Sequence, residues 1–347
     1  MHDLLKNHKE YWDLFVRTEE YSPSFLDKHR RFPYFLSKNR DVLEPKVSEL
    51  LVNNGYNFEY PDEKNFAVCL SHDVDKVLFP WKKRLIKSAG FTSSFNFKSA
   101  FENLFCSNQF NNIKEIMDLE EKYKAKSTFF FVTSDENNSF DPSYKVYDLK
   151  DEIKDIDDRG WEVGLHGGYH TYNDLNKMKQ EKKNLEDILK KKVVGYRNHF
   201  LRFKTPDTWE KLSKAGFKYD TTYGYPDMVG FRNGMCHPFK PYSLNQKKEI
   251  DILEIPLMIM DVTLLSYMHL NLEESFKICK KIIERTRSLN GVLTILWHNR
   301  SFSEKFYPGW KKLYEKILGY CYEKNAWMTS GEKVYDLCKN NNLYFGD

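Results

Sequence analysis

"CLSHDVDKV", Cys69 to Val77, sets two aspartates, Asp73 and Asp75, one residue apart behind a short apolar run. The preceding "FAVCLSHD" reads as a buried strand. In a strand, residues i and i+2 face the same side, roughly 6–7 Å apart. Asp73 and Asp75 are therefore expected to look into one pocket, while His72 and Val74 look away. Two bare carboxylates that close repel each other, and burying them is costly unless a cation compensates. A metal ion is the simplest compensation; a solvated turn or a helix N-cap is the ordinary alternative.

Beyond this strand, strands and helices alternate. "IKEIMDLEEKYKA" predicts a helix and "STFFFVT" a strand. "LKDEIKDIDDRG" is a helix stopped by Gly160, followed by the strand "WEVGLH". "NDLNKMKQEKKNLEDILKK" and "VVGYR" repeat the unit, as do "NLEESFKICKKIIERTRSLNG" with "VLTILWHN" and "PGWKKLYEKILGYCYEKN" with "AWMTS". Short buried strands joined by helices imply a parallel sheet. Six or more units in about 280 residues favour a (β/α) barrel, whose functional residues collect at the carboxyl ends of strands. Residues 1–60 read as an N-terminal helical arm. Leu4, Leu5, Tyr11, Trp12, Phe15 and Val16 recur at helical spacing, and Gly55 stops a second helix. The arm is expected to pack on a barrel spanning residues 61–347.

Three more strand ends carry polar residues. "HGGYH" holds His166 and His170. Four residues along a strand span about 13 Å, too far to share one ion, so the segment is expected to turn, with its glycines allowing close backbone approach. Two imidazoles and a carboxylate form a common open metal site. "GYRNHFLRF" offers Arg197, His199 and Arg202; an arginine beside a carboxylate keeps it ionised. "VLTILWHN" delivers Trp297 and His298, the histidine a candidate proton donor for a leaving group. Each stretch alone has a structural explanation; their joint placement at strand ends favours chemistry.

Composition narrows the class. Of 347 residues, 30% are charged, 41% hydrophobic and 16% aromatic, as in a globular protein. A net charge of +4, without basic runs of a nucleic-acid-binding kind, gives no reason to expect nucleic acid. The six cysteines stand singly, which excludes a CxxC zinc site and suits a reducing compartment. The opening residues lack an apolar signal core, so the expected location is cytoplasmic. Residues 77–101 alternate basic and aromatic side chains without an acid, suggesting a phosphate-bearing substrate, a membrane surface or a cap over the barrel mouth. Arg232 in "GFRNG" is a further candidate for an anionic substrate group.

These motifs, in this order, resemble the polysaccharide deacetylase family, carbohydrate esterase family 4, over about residues 66–335. "SHDVD" resembles a variant of its first motif, "HGGYH" its two-histidine motif, "YRNHFLRF" its arginine motif and "LWHN" its last motif. The resemblance implies a distorted (β/α) barrel of the NodB type. It further implies a divalent metal, most simply Zn2+ with Co2+, Fe2+ or Mn2+ as alternatives, held by Asp75, His166 and His170. Asp73 would be the base, His298 the acid and Arg197 the residue that holds Asp73. Asp261 is expected to support His298, with Asp220 as rival, while Arg202, Arg232 and Trp297 are candidate substrate contacts. The implied reaction is removal of an acetyl group from an N-acetylated sugar, nucleotide- or lipid-linked forms included. A hydrolase of a non-sugar amide or ureide and a non-catalytic sugar-binding protein are the alternatives. The chain departs from the family pattern in separating the two aspartates and in lacking a proline after the arginine.

Overall fold

Nine consecutive buried residues, Phe66–Val74, form β1, the strand around which the sheet is organised. The computed structural model describes residues 1–77, 112–136 and 138–341. To one side of β1 lie, in order, β2 (Thr128–Val132), β3 (Glu162–Gly167), β4 (Gly195–Asn198), β5 (Tyr219–Asp220) and β8 (Leu253–Glu254). To the other lie β10 (Val292–Leu296) and β9 (Ile259–Met260). Every pairing along this path is parallel. A parallel sheet covered on both faces needs apolar residues throughout its strands, which is why "TFFFV" and "VLTIL" are buried end to end. A short antiparallel ribbon, β6 (Tyr242–Ser243) with β7 (Lys248–Glu249), lies off this sheet.

The sheet curls into an incomplete barrel. Its end strands β8 and β9 are consecutive in the chain, and residues 255–258 carry the backbone across the seam. Ile255 N donates to Asp220 O (2.9 Å), Leu257 N to Tyr223 O (3.2 Å) and Met258 N to Thr294 O (3.3 Å). The final strand, β11 (Ala326–Thr329), pairs with β1 at Phe66–Cys69, whereas β2 pairs with Ser71–Val74. These spans do not overlap, and both lie alongside residues that pair with β10. The edge of β1 opposite β10 is thus divided between two strands.

Helices α4 (Ile113–Lys122), α5 (Lys150–Asp158), α6 (Leu175–Leu189), α7 (Asp207–Lys214), α8 (Leu272–Ser288), α9 (Trp310–Glu323) and α10 (Gly331–Asn340) follow strands as the alternation predicts. Two begin with built caps. Asp174 accepts from the amides of Asn176 and Lys177 at α6, and Asn271 with Glu274 forms a capping box at α8. None of the described helices is long and apolar enough to cross a membrane.

The N-terminal segment, with α1 (His2–Lys6), α2 (Lys9–Val16) and α3 (Lys46–Asn53), shares the core of the sheet. Leu5, Phe15, Val47 and Leu51 belong to the same apolar cluster as Val68 and Leu70. Backbone bonds cross as well: Phe231 N to Val42 O (2.7 Å) and Val47 N to Gly234 O (3.0 Å).

A buried ion network reinforces the junction. Glu20 Oε1 accepts from Arg17 Nε (2.8 Å) and Arg232 Nε (3.0 Å). Its Oε2 accepts from Arg232 Nη2 (2.8 Å), Tyr223 Oη (2.9 Å) and Thr205 Oγ1 (3.0 Å). Burial alone would raise this carboxyl; Arg232 and Arg17 outweigh it and bring Glu20 down to about 2. This corrects the expectation for Arg232. Its guanidinium is buried, paired with Glu20 and bonded to the Gly224 carbonyl (2.8 Å), so it is a structural group. Beyond Val77, the basic–aromatic stretch lies outside the described residues.

Candidate metal and hydrolytic site

At the carboxyl end of β1, Ser71, Asp73 and Asp75 face one side and His72 the other. His72 is committed to structure: its ring nitrogens face the Trp297 carbonyl (2.6 Å) and Glu120 Oε1 (2.9 Å). Asp73 Oδ1 accepts from Arg197 Nη1 at 3.0 Å. Arg197 is fully buried and fixed on every side, donating also to Ser71 Oγ (2.8 Å), Thr221 O (3.1 Å) and Thr221 Oγ1 (3.1 Å). Its guanidinium lies 4.7 Å from the Phe130 ring centroid.

Asp75, His166 and His199 form a second group, with one donor atom of each within 4.8 Å of the others. His166 Nε2 lies 3.4 Å from Asp75 Oδ1 and 3.4 Å from Asp73 Oδ2, and His199 Nε2 lies 3.6 Å from Asp75 Oδ1. The far nitrogens set the tautomers. His166 Nδ1 meets the Arg197 carbonyl (3.0 Å), which can only accept, so Nδ1 carries the proton and Nε2 offers its lone pair inward. His199 Nδ1 is held likewise by Asp141 Oδ1 (3.0 Å). Burial would raise Asp141, but hydrogen bonds from His199 and Asn138 hold it below its usual value. Burial opposes ionisation of Asp75 too, and His199, His166, His298 and Arg300 outweigh it, leaving its carboxyl well below the ordinary range. For His166 burial works downward, and the charges of Asp73 and Asp75 push it up.

The third expected ligand is corrected. His170 is exposed, and its ring lies beside Tyr169, outside the group. The backbone explains why. His166 ends on β3, and after Gly168 the chain turns into the 3-10 segment Thr171–Asn173, so the four-residue spacing never becomes one helical face. Gly167 is instead pressed against the Tyr196 hydroxyl, where no side chain fits, and the Gly168 amide donates to Glu181 Oε2 (3.0 Å). His199 takes the place from the adjacent strand: His166 pairs with Arg197 in register, and His199 follows just beyond β4. It stood in the quoted arginine stretch, but strand register was needed to see that it faces the same way.

His298 stands opposite. Asp261 Oδ1 lies 2.7 Å from His298 Nδ1, its Oδ2 accepts the His298 amide at 2.9 Å, and Ser301 Oγ also donates to it. Burial would raise Asp261, and His298 and Ser301 outweigh it. His298 Nε2 lies 3.5 Å from Asp75 Oδ2. Asp220, the rival for this support, pairs instead with Glu254, its register partner on β8; burial pushes it up to about 6.

Two other expectations fail on geometry. Arg202 donates to the carbonyls of His29 (2.9 Å) and Tyr169 (2.6 Å) and ties those two loops together. Trp297 is fully buried and packs on Tyr314, because alternation along β10 turns it away when His298 turns in.

A cavity of about 410 Å3 opens over these groups, lined among others by Asp73, Asp75, His199, His298, Arg300 and Arg31. Arg31 comes from the N-terminal segment. It pairs with Asp27 (2.7 Å) and donates to the Phe200 carbonyl (3.0 Å) and Tyr267 Oη (3.1 Å). Phe200 and Leu201, also in the wall, both have left-handed backbone (φ 61° and 53°), a strain that surrounding contacts must hold. Asp141, Arg31 and Arg300 escaped sequence reading, since loop charges distant in the chain carry no periodic signal.

The donor set fits a divalent cation. Asp75 Oδ1 and His166 Nε2 are buried and have no hydrogen-bond partner among the described residues, although they lie close together. Orphaned buried polar atoms of this kind are rare and costly, and an ion bound by one oxygen and two imidazoles satisfies them.

Comparisons with known proteins agree with the fold. Residues 107–219 match the polysaccharide deacetylase family model. A peptidoglycan deacetylase of Helicobacter pylori is 30% identical over 166 residues, 42% of this chain and 52% of that protein. The chain thus spans about half the length of this curated relative. A Mycobacterium smegmatis protein, described by inference as a polysaccharide deacetylase, aligns with TM-score 0.56 and 16% identity over 82% of this chain and 94% of its own. Puue allantoinase aligns with TM-score 0.56 and 13% identity over 85% of this chain and 98% of its own. These two structural likenesses carry the curled-barrel fold alone. Over residues 107–219 the chain is thus similar to the polysaccharide deacetylase family, in the curled-barrel fold that the two structures share.

Proposed function

We propose that the chain hydrolyses the acetamide of an N-acetylated sugar, using a divalent cation held by Asp75, His166 and His199. The observation that carries this reading is the pair of orphaned inward atoms, Asp75 Oδ1 and His166 Nε2, flanked by two differently supported proton carriers. When bound, such a cation supplies Lewis acidity, lowering the pKa of water from 15.7 towards about 7 and polarising an acyl carbonyl. Asp73, held by Arg197, takes the proton of the attacking water. His298, its Nδ1 anchored on Asp261, presents Nε2 to the leaving nitrogen and donates the proton that releases it. One water is consumed, the acyl C–N bond breaks, and acetate and an amine leave. The mixed oxygen–nitrogen donor set suits zinc, with cobalt, iron or manganese as alternatives. The family match and the peptidoglycan deacetylase relative support a sugar substrate. As compartment we propose the cytoplasm, supported by five described cysteines that are buried and free.

The test combines metal analysis of the purified chain with acetate release from N-acetylated sugars, and with allantoin as a ureide control. About one equivalent of metal and acetate release are expected. Asp73→Asn should lower the rate roughly 10²–10⁴-fold and keep the metal. Allantoin turnover without acetate release would overturn the sugar reading, and a metal-free chain that stays fully active would overturn the cation.

A further inference from the structure

The exposed aromatic side chains gather near the cavity. Among the described residues, seven large hydrophobic side chains are exposed, and four of them are Phe25, Phe35, Phe140 and Tyr267. Phe140 and Tyr267 line the cavity itself. The N-terminal segment joins them to the other two: Tyr267 Oη accepts from Arg31 (3.1 Å), and the Phe140 ring lies 5.9 Å from that of His29. Phe25 and Phe35, 51% and 57% exposed, have their rings 6.0 Å apart. Beside them Leu26, Tyr34 and Leu36 pack on Phe32, Val42 and Tyr225, so the segment is anchored while these two rings stay in solvent.

Charge follows the same segment. Between Ser22 and Arg40 the chain carries five lysines and arginines and one acid, Asp27, which is paired with Arg31. Lys28, Arg30, Lys38 and Arg40 are exposed, and none has an acid as salt-bridge partner among the described residues. The acids nearby are engaged elsewhere: Glu19 with Arg17 (2.7 Å), Asp41 with Lys46 (2.9 Å) and Asp227 with the Tyr34 amide (3.1 Å). Unpaired cations interleaved with outward aromatic rings suit an anionic bilayer, where rings enter the headgroup layer and cations meet phosphates. A fluid headgroup layer moulds itself to such a mixed surface, whereas a folded partner needs a matching face. A second copy would bring the same cations face to face, because a twofold contact is self-complementary. We infer that residues 25–40 form a docking surface for an anionic lipid bilayer, beside the mouth of the cavity. This goes beyond the deacetylase reading and does not depend on it.

The experiment measures sedimentation of the full chain with vesicles of equimolar phosphatidylcholine and phosphatidylglycerol, and with vesicles of phosphatidylcholine alone. Binding to the anionic vesicles should be roughly tenfold tighter or more and should weaken as salt rises. One variant, Phe25→Ser with Phe35→Ser, removes the rings; another, Lys28→Gln with Arg30→Gln and Lys38→Gln, removes charges. Each should lower binding to the anionic vesicles about tenfold. Both alter exposed side chains, so far-UV circular dichroism should match wild type. No binding to the anionic vesicles overturns the inference, as does equal binding to both compositions or undiminished binding in either variant. A concentration-dependent dimer that the phenylalanine variant abolishes, without vesicle binding, would assign the face to a second copy instead. Vesicle binding without acetate release would leave this surface standing and sink the deacetylase reading; acetate release without vesicle binding would do the reverse.

Discussion

Two clusters of buried charge differ in a way that tells their roles apart. Around Glu20, both carboxylate oxygens are bonded, and the partners Arg17, Arg232, Tyr223 and Thr205 are themselves buried. Around Asp75, one oxygen and the facing imidazole nitrogen have no partner among the described residues although they are equally buried. A charge network that satisfies itself is complete as a piece of structure. One that leaves donor atoms facing one another has the arrangement that an ion would complete.

The largest effect expected from this contrast lies in the open cluster. His199→Ala should abolish both bound metal and hydrolysis, whereas His170→Ala should keep one equivalent and most of the rate. Elemental analysis of the two variants decides; the opposite pattern would break the contrast at its strongest point. The closed cluster should respond in stability. Arg232→Met leaves Glu20 short of one cation and should cost roughly 3–5 kcal/mol in urea unfolding, while the folded fraction keeps its metal. A loss below about 1 kcal/mol, the range of an exposed pair, would mean that the network holds little.

The smallest effect concerns acid. Glu20 is at about 2 in the folded chain against an ordinary 4.5. A carboxyl lowered by folding stabilises fully above its unfolded value and loses that contribution as pH falls through the folded one. Wild type should therefore lose about 3 kcal/mol from this group between pH 5 and 2, and Arg232→Met less. Unfolding midpoints at several pH values measure the difference. Glu162 and Glu181 work with the opposite sign. Burial pushes each up to about 7, so each costs stability as pH rises from 4.5 towards 7.

The parallel strands were legible in the sequence because full burial leaves long apolar runs, and the helices because their apolar faces recur. Asp73, Arg197, Asp261 and His298 lie close to where the motifs point, each at or just beyond a strand end. The third donor of the Asp75 group was not legible. Spacing within "HGGYH" made His170 attractive, but which imidazoles meet depends on pairing between β3 and β4, which no local stretch encodes. Arg232 and Arg202 misled for a related reason. An arginine between turn residues looks exposed until its acceptors, Glu20 or the Tyr169 carbonyl, arrive from distant parts of the chain. The segment before residue 60, read only as a packing arm, supplies both Glu20 and Arg31, because single charges in irregular backbone leave no pattern to read.

The divided edge of β1 has a kinetic consequence. A strand clamped by β10 on one side and by β2 and β11 in tandem on the other must break three pairings before its amides meet solvent. Its protons should be among the last to exchange for deuterium. Asp73 and Asp75 are carried on or just past that slowest-opening strand, so surrounding loops can breathe while the two carboxylates hold their spacing.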